Sequence, residues 1–443
     1  MNDGLLADLE AEIPGMLDAL RAVRHDLHRH PELGFEEHRT QGVVRRWLES
    51  NGYRPAIMAE TGLVADLRPS PTDHEGSPVD PTASTSRLTA SATTNATTNA
   101  APTTNAATTA NAATATKTST KTIALRADLD ALPITEETDL PYASVYPGRS
   151  HKCGHDGHTT ILLGTAAVLA RHRVRIPGNV RLLFQPAEEG VRGGGAKVMI
   201  DEGALVGVDE VYGLHNWPAF PRGQVHVKPG ATMAQVHNFK LVFRGVGGHG
   251  SQPQLCKDPV LAGAHFVTAV QSIASRTLGY EGGAVVSVCV FQAGRAENVI
   301  PAQATLEGTI RTFDPKITAR VLARFREIAA STAATFDVRA DLALRVGYPV
   351  LVNASACAAA VERVATRVVG ATHLSSAGLP LAAGEDFAYF AANVPSAYFF
   401  LGAQVPGEDT PVCHHPMFDF DDSLIEIGMR MMLGLVVDRL TSH

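Results

Sequence analysis

Several features are scarce in this 443-residue chain, and each scarcity removes a class of function. Lys and Arg number 38 against 45 Asp and Glu, giving a net charge of −7 and a pI near 6.2. No basic stripe forms, which argues against a nucleic-acid partner. No run of 18 apolar residues occurs, so no membrane-spanning helix is expected. The opening MNDGLLADLEAEIPG has neither a basic n-region nor an apolar h-region, so no signal peptide is expected. Five cysteines in so long a chain are not a disulfide framework. Cys256, Cys289 and Cys357 read as plain thiols, and a reducing, cytoplasmic location fits. From Thr89 to Thr122 no side chain other than Ala, Thr, Asn, Ser, Pro and Lys occurs. That stretch has nothing to build a core from and is expected to be disordered. Pro69–Ser86, rich in proline and serine, extends it. The flanks LVADLR and TIALRADLDAL read as strands, so the region reads as an expanded hairpin loop between neighbours.

What remains is 45% apolar and 19% charged, a globular composition long enough for two or three domains. Leu5–Arg29 has helical spacing, with Leu6, Leu9, Ile13, Leu17, Leu20 and Val23 on one face. Short β-rich runs (Val180–Phe184, Glu210–Leu214) alternate with helices such as Thr159–Arg173, which indicates an α/β domain. Asp128 and Asp130, Glu188 and Glu189, and His215 all follow strands, where open α/β sheets bind ligands. From about Gly230 to Leu344 the order becomes β-α-β-β-α-β, the ferredoxin-like arrangement. This second domain reads as inserted into the first, so that residues 1–229 and 345–443 form one unit around residues 230–344.

The chemistry-bearing residues concentrate around the hexad Cys-Gly-His-Asp-Gly-His at Cys153–His158. A thiolate, imidazoles and a carboxylate are donors that a borderline-soft divalent metal takes. Cys153 and His155 lie two apart in what reads as a Gly-punctuated loop, and spacing leaves open whether His155 or His158 would ligate. In the Glu188-Glu189 pair, one carboxylate can be neutralised by metal while its neighbour titrates to move a proton. His215 and His414 supply further imidazoles. His249, in GVGGHGSQPQ, is a candidate electrophile for a substrate carbonyl.

Taken together the motifs resemble the aminoacylase-like dinuclear metallopeptidases, and within them the hippurate hydrolase and indole-acetyl-amino-acid hydrolase branch. They are RHDLHRHPELGFEE, RADLDALPI, KCGHDGHT, FQPAEEG, GLHNWP, GGHGSQP, ENVIPAQATLEGTIRTF, GEDFAYF and HHPMFDFDD. They span nearly the whole chain outside the low-complexity segment. The resemblance implies an α/β, zinc-exopeptidase-like catalytic domain, a mixed sheet flanked by helices, with an inserted ferredoxin-like α+β domain serving dimerisation and as a lid. It implies that Cys153, His155, Glu189, His215 and His414 bind two divalent ions (zinc, manganese, cobalt or nickel). It further implies Glu188 as the acid/base, Asp130 as a carboxylate orienting the ligands, and Asn298 and Arg311 as substrate-holding residues. His249 matches a histidine that reaches the partner subunit's active site in dimeric relatives. The activity implied is metal-dependent hydrolysis of the amide of an N-acyl amino acid, hippurate being the type. A dipeptidase or carboxypeptidase using the same site is the alternative within enzymes, and a catalytically dead binding protein the alternative outside them. The low-complexity segment, and Arg295 in AGRAENVIP, depart from the family pattern.

Overall fold

The computed structural model describes residues 2–69, 120–279 and 282–441. Most of the low-complexity run lies outside them, and the expectation of disorder there falls with it. Two mixed α/β parts are built from the described residues. In chain order the first part supplies strands β1 (Ala56–Met58), β2 (Gly62–Leu67), β3 (Thr122–Asp128), β4 (Asn179–Gln185), β5 (Glu210–Pro221) and β6 (Val225–His226). The second supplies β7 (Gln235–Arg244), β8 (Ala284–Ala293), β9 (Gln303–Thr312) and β10 (Arg339–Val346). The chain then returns to the first with β11 (Leu374–Ser375) and β12 (Ser396–Gln404).

The large sheet runs β1-β2-β4-β3-β5-β12-β6-β11. Its centre, β4-β3-β5-β12, is parallel, and its strands are buried along almost their whole length. Such strands need cover on both faces. One face packs under helices including Leu17–Arg29, His155–Arg171, Ser355–Val368 and Leu424–Thr441. The other packs under a smaller apolar cluster that includes Met199, Phe387 and Phe390. From β3 the chain crosses to β4 on one side, then returns to β5 on the other. The C-terminal end of β3 is therefore a switch point, where a crevice opens.

Four sequence expectations need correction. The segment Leu5–Arg29 is two helices, Asp3–Ala11 and Leu17–Arg29, separated by a 3₁₀ turn at Pro14–Met16, because Pro14 has no N–H to continue the ladder. β2 and β3 are not neighbours in a hairpin, since β4 lies between them, antiparallel to β2 and parallel to β3. The helix expected at Thr159 opens at His155. The hexad is thus its cap and first turn rather than a loop. His215 lies inside β5, because pairing with β12 carries that strand to Pro221. It is nonetheless beyond the last residue of β5 paired to β3, Gly213.

The second part matches its reading in element order. Its antiparallel sheet runs β8-β9-β7-β10, backed by helices Pro259–Val270 and Pro315–Thr335. Alternation along β7 sorts its faces. Phe239, Leu241 and Phe243 join Phe266 and Phe325 in a core of their own. The registers Arg311↔Val236 and Arg345↔Asn238 put those four residues together on the opposite, helix-free face.

Candidate metal centre

Gly154 caps the helix His155–Arg171 at φ +100°, a left-handed conformation that glycine adopts without penalty. A Cβ here would also meet Asn216 Oδ1 at 2.1 Å. The turn places Cys153 just outside the helix and His155 in its first turn, above the end of β3. His155 Nδ1 donates to the carbonyl of Asp130 at 2.8 Å, with Asp130 Oδ1 at 3.2 Å. That bond aims Nε2 at the crevice. His158 has both ring nitrogens engaged, with Asp128 Oδ1 and Asn216 Oδ1 each at 2.7 Å.

Glu188 and Glu189 follow β4 after Ala187, which sits at φ +54°. Asp130 Oδ2 accepts from the Glu189 N–H at 3.0 Å, so one aspartate steadies both His155 and the Glu pair. His414 arrives from the segment before the last helix, also at positive φ (+70°). Its Nε2 is 3.2 Å from Glu189 Oε1. Its neighbour His415 turns away, accepting from the Met417 N–H at 3.1 Å.

Donor atoms of Cys153, His155 and His215 lie within 4.8 Å of one another, and so do those of Cys153, Glu189 and His414. Cys153 belongs to both trios. Its sulfur is 3.3 Å from His215 Nε2. Two donors on one tetrahedral zinc stand roughly 3.3–3.6 Å apart, and the Cys153–His215 spacing falls in that range. His155 Nε2 is buried with no hydrogen-bond partner, a state that a bound cation relieves. The donor set and this orphaned nitrogen fit divalent metal at both trios.

Charge is concentrated here. Burial pushes the Glu188 carboxyl well above its ordinary range, and the carboxylates of Glu385, Glu189, Asp386 and Asp130 add to it. For Cys153 a hydrogen bond with Cys413, then burial, raises the thiol. Burial opposes protonation of His155, but Asp128 and Asp130 outweigh it and raise this imidazole. His215 is lowered by burial and by the neighbouring His158.

A cavity of about 610 Å³ opens over the cluster, lined by Cys153, Glu188, Glu189, His215 and His414. Its far wall comes from the helix-free face of the second sheet, through Asn238, Arg311 and Arg345. The structure thus brings together Cys153, His155, Glu188, Glu189, His215, His414, Asp130 and Arg311. His249 and Asn298 do not line this cavity. They sit side by side on a short exposed ribbon, Gly250 N–H donating to the Asn298 carbonyl at 2.8 Å.

Sequence reasoning missed several residues that hold the cluster in place. Arg24, fully buried, pairs with Asp156 at 3.2 Å and with Asp419. His28 bridges Asp156 (2.8 Å) and Glu136 (3.0 Å). Lys152 donates to Glu136 and to the Phe418 carbonyl, both at 2.8 Å. This network ties the second helix, the hexad and the His414 segment into one block. Arg126 likewise clamps Asp128, Glu385 and Asp386 behind Glu188. The available signal was the RHDLH and RADLD motifs, whose charges lie where core residues are expected. Cys413 and Arg345 carried no motif at all.

A mixed α/β scaffold with a crevice at its switch point, a two-trio donor cluster and a buried carboxyl beside it define a metallohydrolase. The chain belongs to peptidase family M20/M25/M40, whose model matches residues 124–438. It is 33% identical over 417 residues to an N-acetylcysteine deacetylase of Bacillus subtilis (strain 168), covering 94% of this chain and 95% of that protein. It is also 33% identical over 419 residues to a hippurate hydrolase of Campylobacter jejuni subsp. jejuni, covering 93% and 95%. Among solved structures, a dinuclear metal-binding peptidase of the M20 family from Bacillus subtilis superposes with a TM-score of 0.73 at 30% identity, covering 97% and 99%. The protein is accordingly a hydrolase of amide or peptide bonds. No helix among the described residues is long and apolar enough to cross a membrane.

Proposed function

We propose that the protein hydrolyses the amide bond of small N-acyl amino acids, hippurate-like substrates among them, releasing a carboxylic acid and the amino acid. One observation carries this reading. The cavity has the buried carboxyl of Glu188 at one end and the Arg311 guanidinium at the other, with no acidic partner for Arg311 among the described residues. A planar guanidinium suits the free α-carboxylate of an amino acid. A substrate anchored there would place its amide over the donor cluster.

Cys153, His155, Glu189, His215 and His414 would hold two divalent ions, zinc being favoured by the soft thiolate, with manganese, cobalt or nickel as alternatives. Bound there, the ions would polarise the amide carbonyl and acidify the attacking water. Glu188 takes the proton of that water and later delivers it to the leaving amine. Asp130 orients His155 and Glu189 throughout. His249 and Asn298, neighbours on a ribbon that does not line their own chain's cavity, both come from the partner subunit, His249 to stabilise the developing oxyanion and Asn298 to assist Arg311 at the carboxylate. This assignment takes residues 230–344 as a dimerisation and lid domain inserted between residues 1–229 and 345–443. It is supported by that unit's separate core and by its open edge strand β8, where Val285 and Phe291 are exposed. A soluble cytoplasmic enzyme fits the same reading.

The test is a hydrolysis screen of N-benzoyl, N-acetyl and indole-acetyl amino acids beside dipeptides and carboxyl-blocked N-acyl amino amides. The N-acyl amino acids are expected to give the highest kcat/KM, and the blocked amides little turnover. Faster turnover of dipeptides would transfer the assignment to a dipeptidase.

A further inference from the structure

Cys413 stands beside Cys153, and nothing in the reaction uses it. The His414 N–H donates to the Lys152 carbonyl at 2.6 Å, which lays the main chain at 413 against that at 153. Residues that flank such a peptide-to-peptide bond have Cα atoms roughly 5 Å apart, a spacing that a disulfide spans. The Cys413 sulfur is 3.9 Å from the Cys153 carbonyl oxygen, and both side chains line the same cavity. Cys413 is the more accessible of the two. The other thiols are elsewhere: Cys357 in the core under the large sheet, Cys256 and Cys289 in the second part.

We propose that Cys153 and Cys413 are a reversible dithiol–disulfide pair, closed by a peroxide, and that closure dismantles the donor cluster. The Cys413 thiolate attacks the O–O bond of hydrogen peroxide, leaving a sulfenic acid on Cys413 and releasing one oxygen as water. The Cys153 sulfur then attacks the sulfenic sulfur. The S–S bond forms, and hydroxide departs to leave as a second water, taking up the Cys153 proton where that sulfur is a free thiol and a solvent proton where it is a metal-bound thiolate. Two thiols and one peroxide thus give one disulfide and two waters, each sulfur giving up one electron. Cys153 is the donor common to both trios, so its loss as a thiolate removes a ligand from each at once. The disulfide itself does not depend on the substrate reading, whereas metal release depends on Cys153 being a ligand. The two consequences are measured separately.

The experiment treats the full-length, metal-loaded protein with a small excess of hydrogen peroxide. Remaining thiols are alkylated, peptides are mapped by mass, and released metal is followed with a chromogenic chelator. A 153–413 cross-linked peptide pair is expected, metal is released as it forms, and a small dithiol reverses the link. Cys413→Ser should purify with its metal and release it at least about tenfold more slowly under the same peroxide. Oxidised wild-type protein without a 153–413 link would overturn the proposal whatever the variant does. So would Cys413→Ser releasing metal at the wild-type rate, or purifying without metal, which would make Cys413 a ligand instead. A link that forms with no metal release would leave the pair standing and remove Cys153 from the ligand set.

Discussion

Ala187 and His414 both occupy positive φ, and they are the two non-glycine positions where the chain turns into the donor cluster. Strain of this kind persists only where surrounding contacts over-determine it. Here the Glu37 carboxylate accepts from the Ala187 N–H at 2.8 Å, and the Lys152 carbonyl holds the His414 N–H. Gly154 solves the same problem without strain. Gly154→Ala should destabilise the fold by about 2–4 kcal/mol, from backbone strain and the overlap with Asn216 together. Urea denaturation measures it, and a change under about 0.5 kcal/mol would refute the steric account. Glu188→Gln addresses chemistry instead of packing. Turnover should fall by roughly 10²–10⁴ while metal content, read by elemental analysis, stays near wild type. A variant that keeps activity within about tenfold would show that Glu188 is not the proton carrier.

Between elements, Glu210 at the start of β5 is a junction. It accepts from Arg439 of the last helix at 2.6 and 2.8 Å, from Lys121 at 2.8 Å and from Tyr212 at 2.8 Å. Burial alone would raise its pKa, but hydrogen bonds from Arg439, Lys121 and Tyr212 draw it down to about 2. A carboxyl whose folded pKa is depressed stabilises the fold above its unfolded value, and that contribution fades as pH falls. Wild-type protein should therefore exceed Glu210→Gln in urea midpoint by a constant margin above pH 5. The margin should shrink between about pH 4.5 and pH 2. A margin that does not change with pH would show that packing, not charge, makes the junction. Element by element, periodicity and strand composition were enough to anticipate β3, β4, most of β5 and the β-α-β-β-α-β order of the second part. They overran at Pro14 because apolar spacing continued through the break, and they started the hexad helix late because Gly154 hides its cap.

At the scale of the whole molecule, β2 and β3 meet the low-complexity segment at the sheet edge remote from the site. Leu67 pairs with Val180 and Thr122 with Asn179, whereas the cluster lies past the opposite ends of the strands. Replacing residues 70–119 by a short Gly-containing linker across β4 should leave kcat unchanged, and closure entropy shifts only about 0.6 kcal/mol per halving of loop length. A large loss of kcat would mean that the segment reaches the site. The absence of His249 from its own chain's cavity sets up a second expectation. Equal amounts of Glu188→Gln and His249→Ala protein, each nearly inactive, should recover activity on subunit exchange. Random pairing makes about half of the dimers mixed, each with one intact site, so roughly a quarter of wild-type activity should return. Confirmed exchange without recovery would confine His249 to its own chain or remove it from the reaction.

The donor types, their order and the paired glutamates were legible in the sequence because ligand chemistry depends on side-chain identity, and identity is what a sequence records. The β-α-β-β-α-β order was legible for a similar reason: burial on one face imposes a period along the chain. Which imidazole of the hexad stays free was not legible, because it depends on Asp128 and Asn216 engaging both nitrogens of His158 across two strands. The place of β4 between β2 and β3, the Arg24–Asp156–Asp419 block and the approach of Cys413 to Cys153 were decided only in three dimensions. Each joins residues far apart in the chain, and no local spacing carries the distance between them.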